Sequence, residues 1–390
     1  MVKSSAKVGI NVVLLGVVSF LTDVSSEMMM PILPMFIMAL GGTALIVGLI
    51  GGLGDSVSSI LQVFSGYWSD KYGRRKPFVF LGYLVSATSK LFLPFSVVWQ
   101  HVLVLRPIER VGKGLRTAPR DAIIADSSTR EVRGKAFGIH RAMDTGGAIL
   151  GSILALLLFW FLKMDFRFIL IVSAIIAFFA LPPLYPVRDV KRKPEKTLTL
   201  NVSLKNLPKK LRLFILVATI FALGNFTYMF FILKAQEALS YIYPEKMAIA
   251  IPILLYVLFN IVYTLFSIPS GILSDKIGRR KVLMTGYLVF GLTCLGFAFL
   301  TSTIFLVTLF CFYGLAYALI EANQRAFTSD LATKELRGTA LGTFHTCVGL
   351  AALPSSLIAG ALWQYINPTI TFIYGFVLSI IALTLLKTVV

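Results

Sequence analysis

The feature that most limits how this chain can fold is a succession of long apolar runs. A helix that crosses a bilayer needs about 20 mostly apolar residues, and roughly twelve such runs follow one another along the chain. Transmembrane β-strands would be about 10 residues long and strictly alternating, which these runs are not. The sequence therefore predicts an all-α integral membrane protein with twelve transmembrane helices. The predicted spans are 9–38, 44–68, 78–97, 101–125, 137–162, 166–187, 212–234, 248–273, 282–301, 303–327, 339–363 and 367–388.

Composition supports this class. Hydrophobic residues make up 57% of the 390 residues and charged residues 14%, whereas soluble domains are about 45–50% apolar and about 25% charged. There are too few charged residues to cover the surfaces of soluble domains. Cys294, Cys311 and Cys347 all lie in apolar runs, so we predict buried core residues rather than disulfides or metal ligands.

The net charge of +19, from 37 basic and 18 acidic residues, orients the chain. With the N-terminus inside, 25 basic residues fall in inward loops, tails and the adjoining span ends, 3 in or beside outward loops and 9 deeper within the apolar runs. Basic residues concentrate on the cytoplasmic side of membrane proteins. We therefore predict a multi-pass protein of the cell membrane with both termini in the cytoplasm, and we predict no nucleic-acid partner.

One long polar stretch divides the chain into halves of similar length. It predicts three segments: an N-terminal six-helix bundle at 1–187, a basic cytoplasmic linker at 188–211 and a C-terminal six-helix bundle at 212–390. Part of the linker could instead form a basic amphipathic helix on anionic lipid.

The two halves repeat each other. GYWSDKYGRRKP at 66–77 matches GILSDKIGRRKV at 271–282, and DSSTREVRGKAFG at 126–138 matches DLATKELRGTALG at 330–342. The two matches have nearly the same offset and the same orientation, which indicates a parallel repeat about an axis along the membrane normal.

The doubled pattern G-x-x-x-D-[RK]-x-G-[RK]-[RK], after the second span of each half, resembles the signature of the major facilitator superfamily. This resemblance covers essentially the whole chain. It implies two six-helix bundles around a central cavity and alternating access by rocking of one bundle against the other. The residues that carry it are Gly66, Asp70, Gly73, Arg74 and Arg75 in the first copy and Gly271, Asp275, Gly278, Arg279 and Arg280 in the second.

The motif also has a physical interpretation. Gly66 and Gly271 permit close helix contact, and Asp70 and Asp275 can pair with arginine or cap a neighbouring helix. Such contacts can latch the outward-open state, although a basic loop that only fixes topology is the alternative. We predict a second set of latches at the other inward loop of each half. Its members are Asp126 with Arg133 and Asp330 with Arg337.

Two acids in the first span are candidates for coupling. Asp23 and Glu27 are four residues apart and share a helix face. Two close carboxylates at low dielectric disfavour double ionisation, so one of them tends to keep a proton. This pattern suits a proton carrier, a cation site, or two acids paired with buried bases. Pro31 and Pro34 are expected to bend or end this helix.

The second and third spans contribute one ionisable residue each. Asp55 lies in a stretch rich in glycine and serine, and it suits an interhelical hydrogen bond as well as a role in the substrate pathway. Lys90 is its predicted partner, or else a counter-charge for substrate.

The fourth span is the most basic. Arg106, Arg110, Lys113 and Arg120 fall on one stripe of a helical wheel, with Arg116 and Glu109 at its edge. The stripe cannot face lipid, so it must line the cavity or bind carboxylates. RVGKG resembles the fourth-helix motif R-x-x-Q-G of the superfamily, which implies a proton-coupling role for Arg110. Lys113 replaces the glutamine of that motif.

The fifth span brings together His140, Arg141 and Asp144. They could form a proton relay, because histidine titrates near neutral pH, or a structural Arg–Asp pair beside a hydrogen-bonded histidine. Gly147 and Gly151, with Gly138, partly resemble the glycine-rich motif of superfamily antiporters, in which a proline stands where this chain has serine.

The second half has fewer ionisable residues in its spans. Glu321 and Arg325 are predicted to pair, as are Lys234 and Glu237. Further candidates for contact with a substrate in the cavity are Asn225, Tyr228 and Phe230.

We find no phosphate loop, nucleophile elbow or zinc-protease motif, and we predict neither an enzyme nor a cofactor or metal site. The predicted function is secondary active transport of a small molecule by a monomer in the lipid bilayer, coupled to protons by Asp23, Glu27 and Arg110. Efflux of amphipathic or drug-like compounds is the first hypothesis. The alternatives are uptake of an organic anion at the basic stripe and transport of a metal cation or chelate; a membrane-embedded enzyme is the non-transport alternative.

Overall fold

The computed structural model describes residues 9–129, 132–189, 204, 207–333 and 336–389, and over these ranges the chain is helical without β-strands. Short 3-10 turns follow two of the helices, at Leu93–Phe95 and Pro182–Leu184. The α-helices are α1 (Ile10–Met29), α2 (Leu33–Ala39), α3 (Ala44–Tyr72), α4 (Lys76–Phe92), α5 (Trp99–Asp126), α6 (Arg133–Trp160), α7 (Phe166–Phe179), α8 (Lys209–Gly224), α9 (Met229–Ser240), α10 (Glu245–Ile277), α11 (Arg279–Phe299), α12 (Thr303–Leu331), α13 (Arg337–Tyr365) and α14 (Pro368–Val389).

Length and composition confirm an integral membrane protein. Eleven helical segments in the described ranges are long and apolar enough to cross a membrane. The remaining predicted span is α5, which is 28 residues long but carries the basic stripe. With α5 included, the structure confirms the predicted set of twelve spans.

Two spans are broken within the membrane. The first ends as a helix at Met29 and resumes at Leu33 with Pro34 in the new first turn, which confirms the predicted effect of its prolines. The seventh is interrupted between Gly224 and Met229, a break that we did not predict. Of the backbone groups freed there, the Thr227 amide donates to the Ser356 hydroxyl at 3.1 Å, as burial at membrane depth requires.

The chain divides into two compact units. One comprises Met1–Met30 with Ile60–Leu200, and the other Pro31–Ser59 with Asn201–Val390. Residues 31–59, which the sequence prediction assigned to the first bundle, pack within the second unit, and the predicted bundles at 1–187 and 212–390 stay a prediction. The predicted linker at 188–211 lies mostly outside the described residues.

In the first unit, α1 and α6 are in close contact. A Cβ on Gly147 would lie 2.4 Å from the carbonyl oxygen of Phe20, and one on Gly151 would lie 2.3 Å from that of Val24. Glycine at these two positions lets the two backbones touch. This packing brings the α1 face that carries Asp23 against α6.

The core of the second unit is aromatic. The ring of Phe231 stacks on Tyr313 with centroids 4.2 Å apart, and Tyr313 lies 4.8 Å from the ring of Phe259. Tyr313 also contacts Tyr317, at 5.0 Å. These stacked, tilted and edge-to-face contacts stabilise the unit in addition to the burial of large apolar surfaces.

Candidate functional site

Two carboxyl groups from different helices meet inside the first unit. The carboxyl group of Asp23 on α1 interacts with that of Asp144 on α6. Two ionised carboxylates that lie close together in a buried place repel each other, which favours a proton on one of them. Arg141 lies 3.2 Å from the other side of Asp144, and Lys113 and Glu27 act on Asp23 electrostatically. The sequence paired Asp23 with Glu27 on its own helix and did not predict Asp144 as its partner.

His140 belongs to a polar cluster beside this pair. Its Nε2 lies 2.9 Å from the Ser19 hydroxyl, which also contacts the Tyr83 hydroxyl at 3.3 Å. Arg120 donates to the same Ser19 oxygen at 3.0 Å and pairs with Asp121. The relay of His140, Arg141 and Asp144 stays a prediction, and the partner of the His140 Nε2 is Ser19, a small residue that carried no signal in the sequence.

The basic stripe of α5 faces mostly into the protein. Arg106 and Arg110 are buried, and both approach Glu109, which is buried as well. Arg106 also contacts the Met30 sulfur at 3.3 Å, just before the break in the first span. The carboxylate that pairs with the two arginines thus comes from α5 itself. The sequence analysis placed this residue, Glu109, at the edge of the stripe and did not predict the pairing.

Lys90 is 1% exposed, and its Nζ donates to the hydroxyls of Ser25 at 2.9 Å and Ser26 at 2.8 Å. The prediction that Asp55 is its partner is wrong, because adjacent serines of α1 take up the ammonium hydrogens instead. Asp55 acts electrostatically on Tyr317 in the second unit.

The guanidinium of Arg116 is 4.5 Å from the centre of the Tyr83 ring, which is a cation–π contact. Arg116 is 4% exposed, and its Nη1 has no hydrogen-bond partner among the described residues. Lys113, one turn before it, is exposed. The cations of the stripe therefore differ in the extent to which they are already neutralised.

The repeated motif forms an ion network in each unit. In the first, Arg75 lies 2.9 Å from Asp70 and also binds Asp126. Burial disfavours the charge of Arg75, but the hydrogen bond to Asp70 and the charge of Asp126 outweigh it and raise the pKa of Arg75 above its ordinary value. Asp189 accepts hydrogen bonds from the backbone amides that begin α4, where the helix dipole favours a carboxylate.

In the second unit the equivalent carboxylates bind a different arginine of the motif. Arg279 lies 3.1 Å from Asp275 and binds Asp330. In the alignment of the two copies, however, Arg279 corresponds to Arg74, and Arg280 corresponds to Arg75. Arg280 donates instead to the Leu386 carbonyl at the end of α14, at 3.1 Å. The two copies of the motif thus use neighbouring arginines for the same task.

These contacts correct three sequence predictions. Asp126 pairs with Arg75 rather than with Arg133, and Asp330 pairs with Arg279 rather than with Arg337. Both Arg133 and Arg337 are exposed at the first residue of a helix. Gly66 lies close to a neighbouring helix, since a Cβ on it would come 3.3 Å from that of Ala118, but among the described residues no neighbouring atom would lie within 4 Å of a Cβ on Gly271. The expected close contact is therefore absent at the second glycine.

The turn glycines behave alike in both copies. Gly73 and Gly278 have φ of 64° and 96°, in the left-handed region that other residues rarely adopt. This conformation lets the chain turn between two helices within three residues in the first copy and one in the second, and it explains why glycine precedes the arginine pair in each half.

In the second unit the predicted pairs are present. Glu321 binds Arg325 and also accepts a hydrogen bond from the Tyr263 hydroxyl, and Lys234 lies 3.7 Å from Glu237. Asn225 lies 3.4 Å from the Tyr317 hydroxyl.

The aromatic candidates differ in their exposure. Tyr228 packs near Tyr256, with ring centroids 5.6 Å apart. Phe230 is fully buried in the aromatic core, so its predicted contact with the cavity is wrong.

The three cysteines form no disulfides, and Cys294 is buried as predicted while Cys311 and Cys347 are half-buried. Within the part of the chain that the structure describes, no three His, Cys, Asp or Glu side chains are grouped so that they could hold a metal ion.

Comparison with known proteins gives concordant results. The sequence model of the major facilitator superfamily matches residues 15–254 and 214–389. An uncharacterized MFS-type transporter of Methanocaldococcus jannaschii is 55% identical, with 95% of this chain and 93% of that protein covered. The multidrug resistance protein MdtH of Yersinia enterocolitica is 24% identical, covering 85% and 80%. A crystal structure of a variant of the nucleoside transporter NupG has the same fold, with a TM-score of 0.80, 15% identity and coverage of 97% and 99%.

Proposed function

Since this chain belongs to the major facilitator superfamily of membrane transporters, we propose that it is a secondary active transporter of a small molecule, coupled to protons. It works by rocker-switch alternating access as a monomer in the cell membrane, with both termini in the cytoplasm. No enzymatic step is part of this function.

The observation that supports proton coupling is the close packing of α1 on α6 at Gly147 and Gly151, which lets Asp23 interact with Asp144. This pair binds one proton between two transmembrane helices, and carboxyl pairs in such positions serve as proton relays in transporters. Lys113 and Arg141 adjust the charge around the pair from two further directions. Arg110 acts less directly, through Glu109 and its neighbour Lys113.

The motif networks supply the conformational latch in this proposal. Arg75 with Asp126, and Arg279 with Asp330, tie the turn after α3 or α10 to the end of α5 or α12. A transporter that alternates between two states needs contacts that hold one state and release in the other, and charge-assisted hydrogen bonds near helix ends can do both.

Efflux of amphipathic or drug-like compounds is the first candidate for the substrate. It is supported by the likeness to MdtH, a multidrug resistance protein. Uptake of an organic anion is the second candidate, and the observation that favours it is the set of cations on α4 and α5, with Lys113 exposed. Transport of a metal cation or chelate at Asp23 and Glu27 is the third possibility that the experiment tests.

The experiment is transport into and out of proteoliposomes that contain the full chain, with an imposed pH gradient. A panel of amphipathic cations, organic anions and metal ions is screened in both directions. The pH gradient should drive at least one class in one direction, and Asp23→Asn and Asp144→Asn should abolish that drive. Downhill exchange of the substrate in the same variants shows that they still bind and move it.

Glu245→Gln is the matched control, since it removes an exposed carboxylate at the start of α10 that has no assigned role. It should leave gradient-driven transport unchanged. The coupling assignment is wrong if Asp23→Asn retains full gradient-driven transport, and proton coupling as a whole is wrong if wild-type transport ignores the pH gradient for every class.

A further inference from the structure

We propose that Lys113 and Arg116 of α5, together with Lys90 of α4, bind the anionic group of an organic substrate, and that this group binds together with a proton on Asp23. The inference rests on the proposed function and selects the second of its two main substrate classes. It also states that substrate and proton strengthen each other's binding rather than compete.

These three cations differ from the other basic residues of the first unit. Arg106, Arg120 and Arg141 each contact a carboxylate within 3.2 Å. Among the described residues, no carboxylate forms a salt bridge with Lys90, Lys113 or Arg116. A serine pair holds Lys90, and the Tyr83 ring covers Arg116.

Arg116 and Lys113 can still bind a ligand. The Nη1 of Arg116 is buried and has no hydrogen-bond partner within the described residues, and a buried donor of this kind costs free energy until an acceptor reaches it. Lys113 lies one turn away on the same helix face and is exposed. A planar carboxylate or a sulfonate offers the oxygens that a guanidinium and an ammonium recognise.

Asp23 controls the charge of this site. It acts electrostatically on Lys90, Lys113 and Arg116 alike, and Glu109 is the other carboxylate that acts on all three. Glu109 also binds Arg106 and Arg110, so the negative charge that can change here is that of Asp23. When Asp23 takes a proton, its charge no longer offsets the cations, and the site attracts an anion more strongly.

The groups that face Asp23 come from several helices. Glu27 lies on the same helix, Asp144 with Arg141 and His140 lies on α6, and the cations lie on α4 and α5. The charged residue of α7, Arg167, donates to the Pro94 carbonyl instead. Glu27 is therefore the second acid that could carry the pH dependence, and it enters the experiment as a separate variant.

The consequence for coupling follows from thermodynamic linkage. If protonation of Asp23 strengthens anion binding, then the bound anion strengthens proton binding by the same factor. Two ligands that favour each other on one carrier move in the same direction. A proton gradient directed into the cell would therefore drive uptake of the anion, whereas antiport requires the two ligands to compete.

The test is calorimetric titration of the purified full chain in detergent with benzenesulfonate, which stays ionised between pH 6 and pH 8. Binding should be about tenfold tighter at pH 6 than at pH 8, within the range usual for coupled sites. Titration in two buffers of different ionisation enthalpy should show net proton uptake at the higher pH. Benzyl alcohol, which has the same ring without the charge, should not bind at this site.

Variants separate the parts of the site. Lys113→Gln and Arg116→Gln should each weaken benzenesulfonate binding by about tenfold or more, the loss of one charge-assisted contact. Asp23→Asn should bind at pH 8 as tightly as the wild type does at pH 6, and Glu27→Gln should keep the pH dependence. Lys135→Gln, an exposed cation of α6, is the matched control and should equal the wild type.

Several results would overturn the inference. They are no binding of benzenesulfonate at either pH, binding that does not change with pH, proton release on binding, or full affinity in both Lys113→Gln and Arg116→Gln. Circular dichroism and elution volume verify the fold of each variant, and the exposed Lys113 provides a test even where Arg116→Gln misfolds. If the pH gradient drives only neutral or cationic compounds and the anion does not bind, this inference fails while the proposed function stands.

Discussion

Arg75 and Arg279 hold equivalent carboxylates in the two motif copies, and their replacement should have unequal effects. The side chains of Arg75 and Asp126 are 7% and 10% exposed, whereas those of Arg279 and Asp330 are 26% and 52% exposed. Removing one partner of a buried ion pair leaves an uncompensated charge, which costs about 3–5 kcal/mol when burial is complete. Exposed pairs contribute about 0–1 kcal/mol.

Arg75→Ala should therefore lower the free energy of unfolding by about 3 kcal/mol, mainly because Asp126 loses its partner. Arg279→Ala should lower it by no more than about 1 kcal/mol, because water solvates Asp330 in its place. The assay is equilibrium unfolding of the purified full chain in mixed micelles, followed by circular dichroism as the fraction of denaturing detergent rises.

Arg74→Ala is the matched control, because Arg74 is exposed and adjacent to Arg75 and its loss removes the same charge from the same loop. It should change the free energy of unfolding by less than about 0.5 kcal/mol. If Arg74→Ala and Arg75→Ala have equal effects, the loop acts through its charge alone. If Arg279→Ala destabilises the protein as much as Arg75→Ala, burial does not set the strength of the networks and the reasoning is refuted.

Three further predictions concern the first unit. Glu109→Gln should destabilise the protein by about 3–5 kcal/mol, since Arg106 and Arg110 would lose their shared carboxylate; an unfolding titration that matches the wild type would contradict the assigned pairing. Gly147→Leu should prevent α1 from packing on α6 and reduce the yield of folded protein, whereas Gly138→Ala, where nothing lies within 4 Å of a Cβ, should be neutral by size-exclusion chromatography. A raised pKa means that Arg75 stabilises the fold at every pH below its ordinary pKa, so the stability difference between wild type and Arg75→Gln should stay constant from pH 6 to pH 9; a decline across this interval would show that another group titrates in the network.

Much of the fold could be predicted from the sequence because membrane spanning imposes a length. Each span needs about 20 apolar residues, and loops between spans are short. The prolines near residue 31 predicted the break in the first span, since proline removes a backbone donor. The break after Gly224 was not predictable in this way, because the groups that stabilise it, such as Ser356, lie far away in the chain.

The sequence identified the individual residues of the candidate site, but it did not show which of them contact each other across helices. Helical spacing brings residues of one helix together, and it predicted Glu321 with Arg325 correctly. It could not identify Asp144 as the partner of Asp23, because that contact depends on how closely α1 approaches α6. The glycines that permit the approach were visible in the sequence, but the helix that they face was not.

The motif networks show a second limit. Arg74 and Arg75 lie in the turn before α4, which begins at Lys76, whereas Arg279 and Arg280 already belong to the first turn of α11. The helix after the motif therefore begins two residues earlier in the second copy, and the arginines of the two copies have different backbone surroundings. The sequence repeat predicts the same choice in both halves, and the structure shows different ones.

The composition of α5 has a consequence for how the protein enters the membrane. Each charged residue at the centre of a helix costs about 2.5–3.5 kcal/mol on the scale of translocon-mediated insertion, so α5 cannot partition into lipid by itself. It packs on α4 through Gly82 and Gly112, each of which would bring a Cβ within 2.6 Å of the other's carbonyl oxygen. A membrane position for α5 therefore depends on the helices that pack against it, of which α4 is one. The basic stripe thereby imposes an order on biogenesis, since the most polar helix of the first unit depends on its neighbours to become a membrane helix at all.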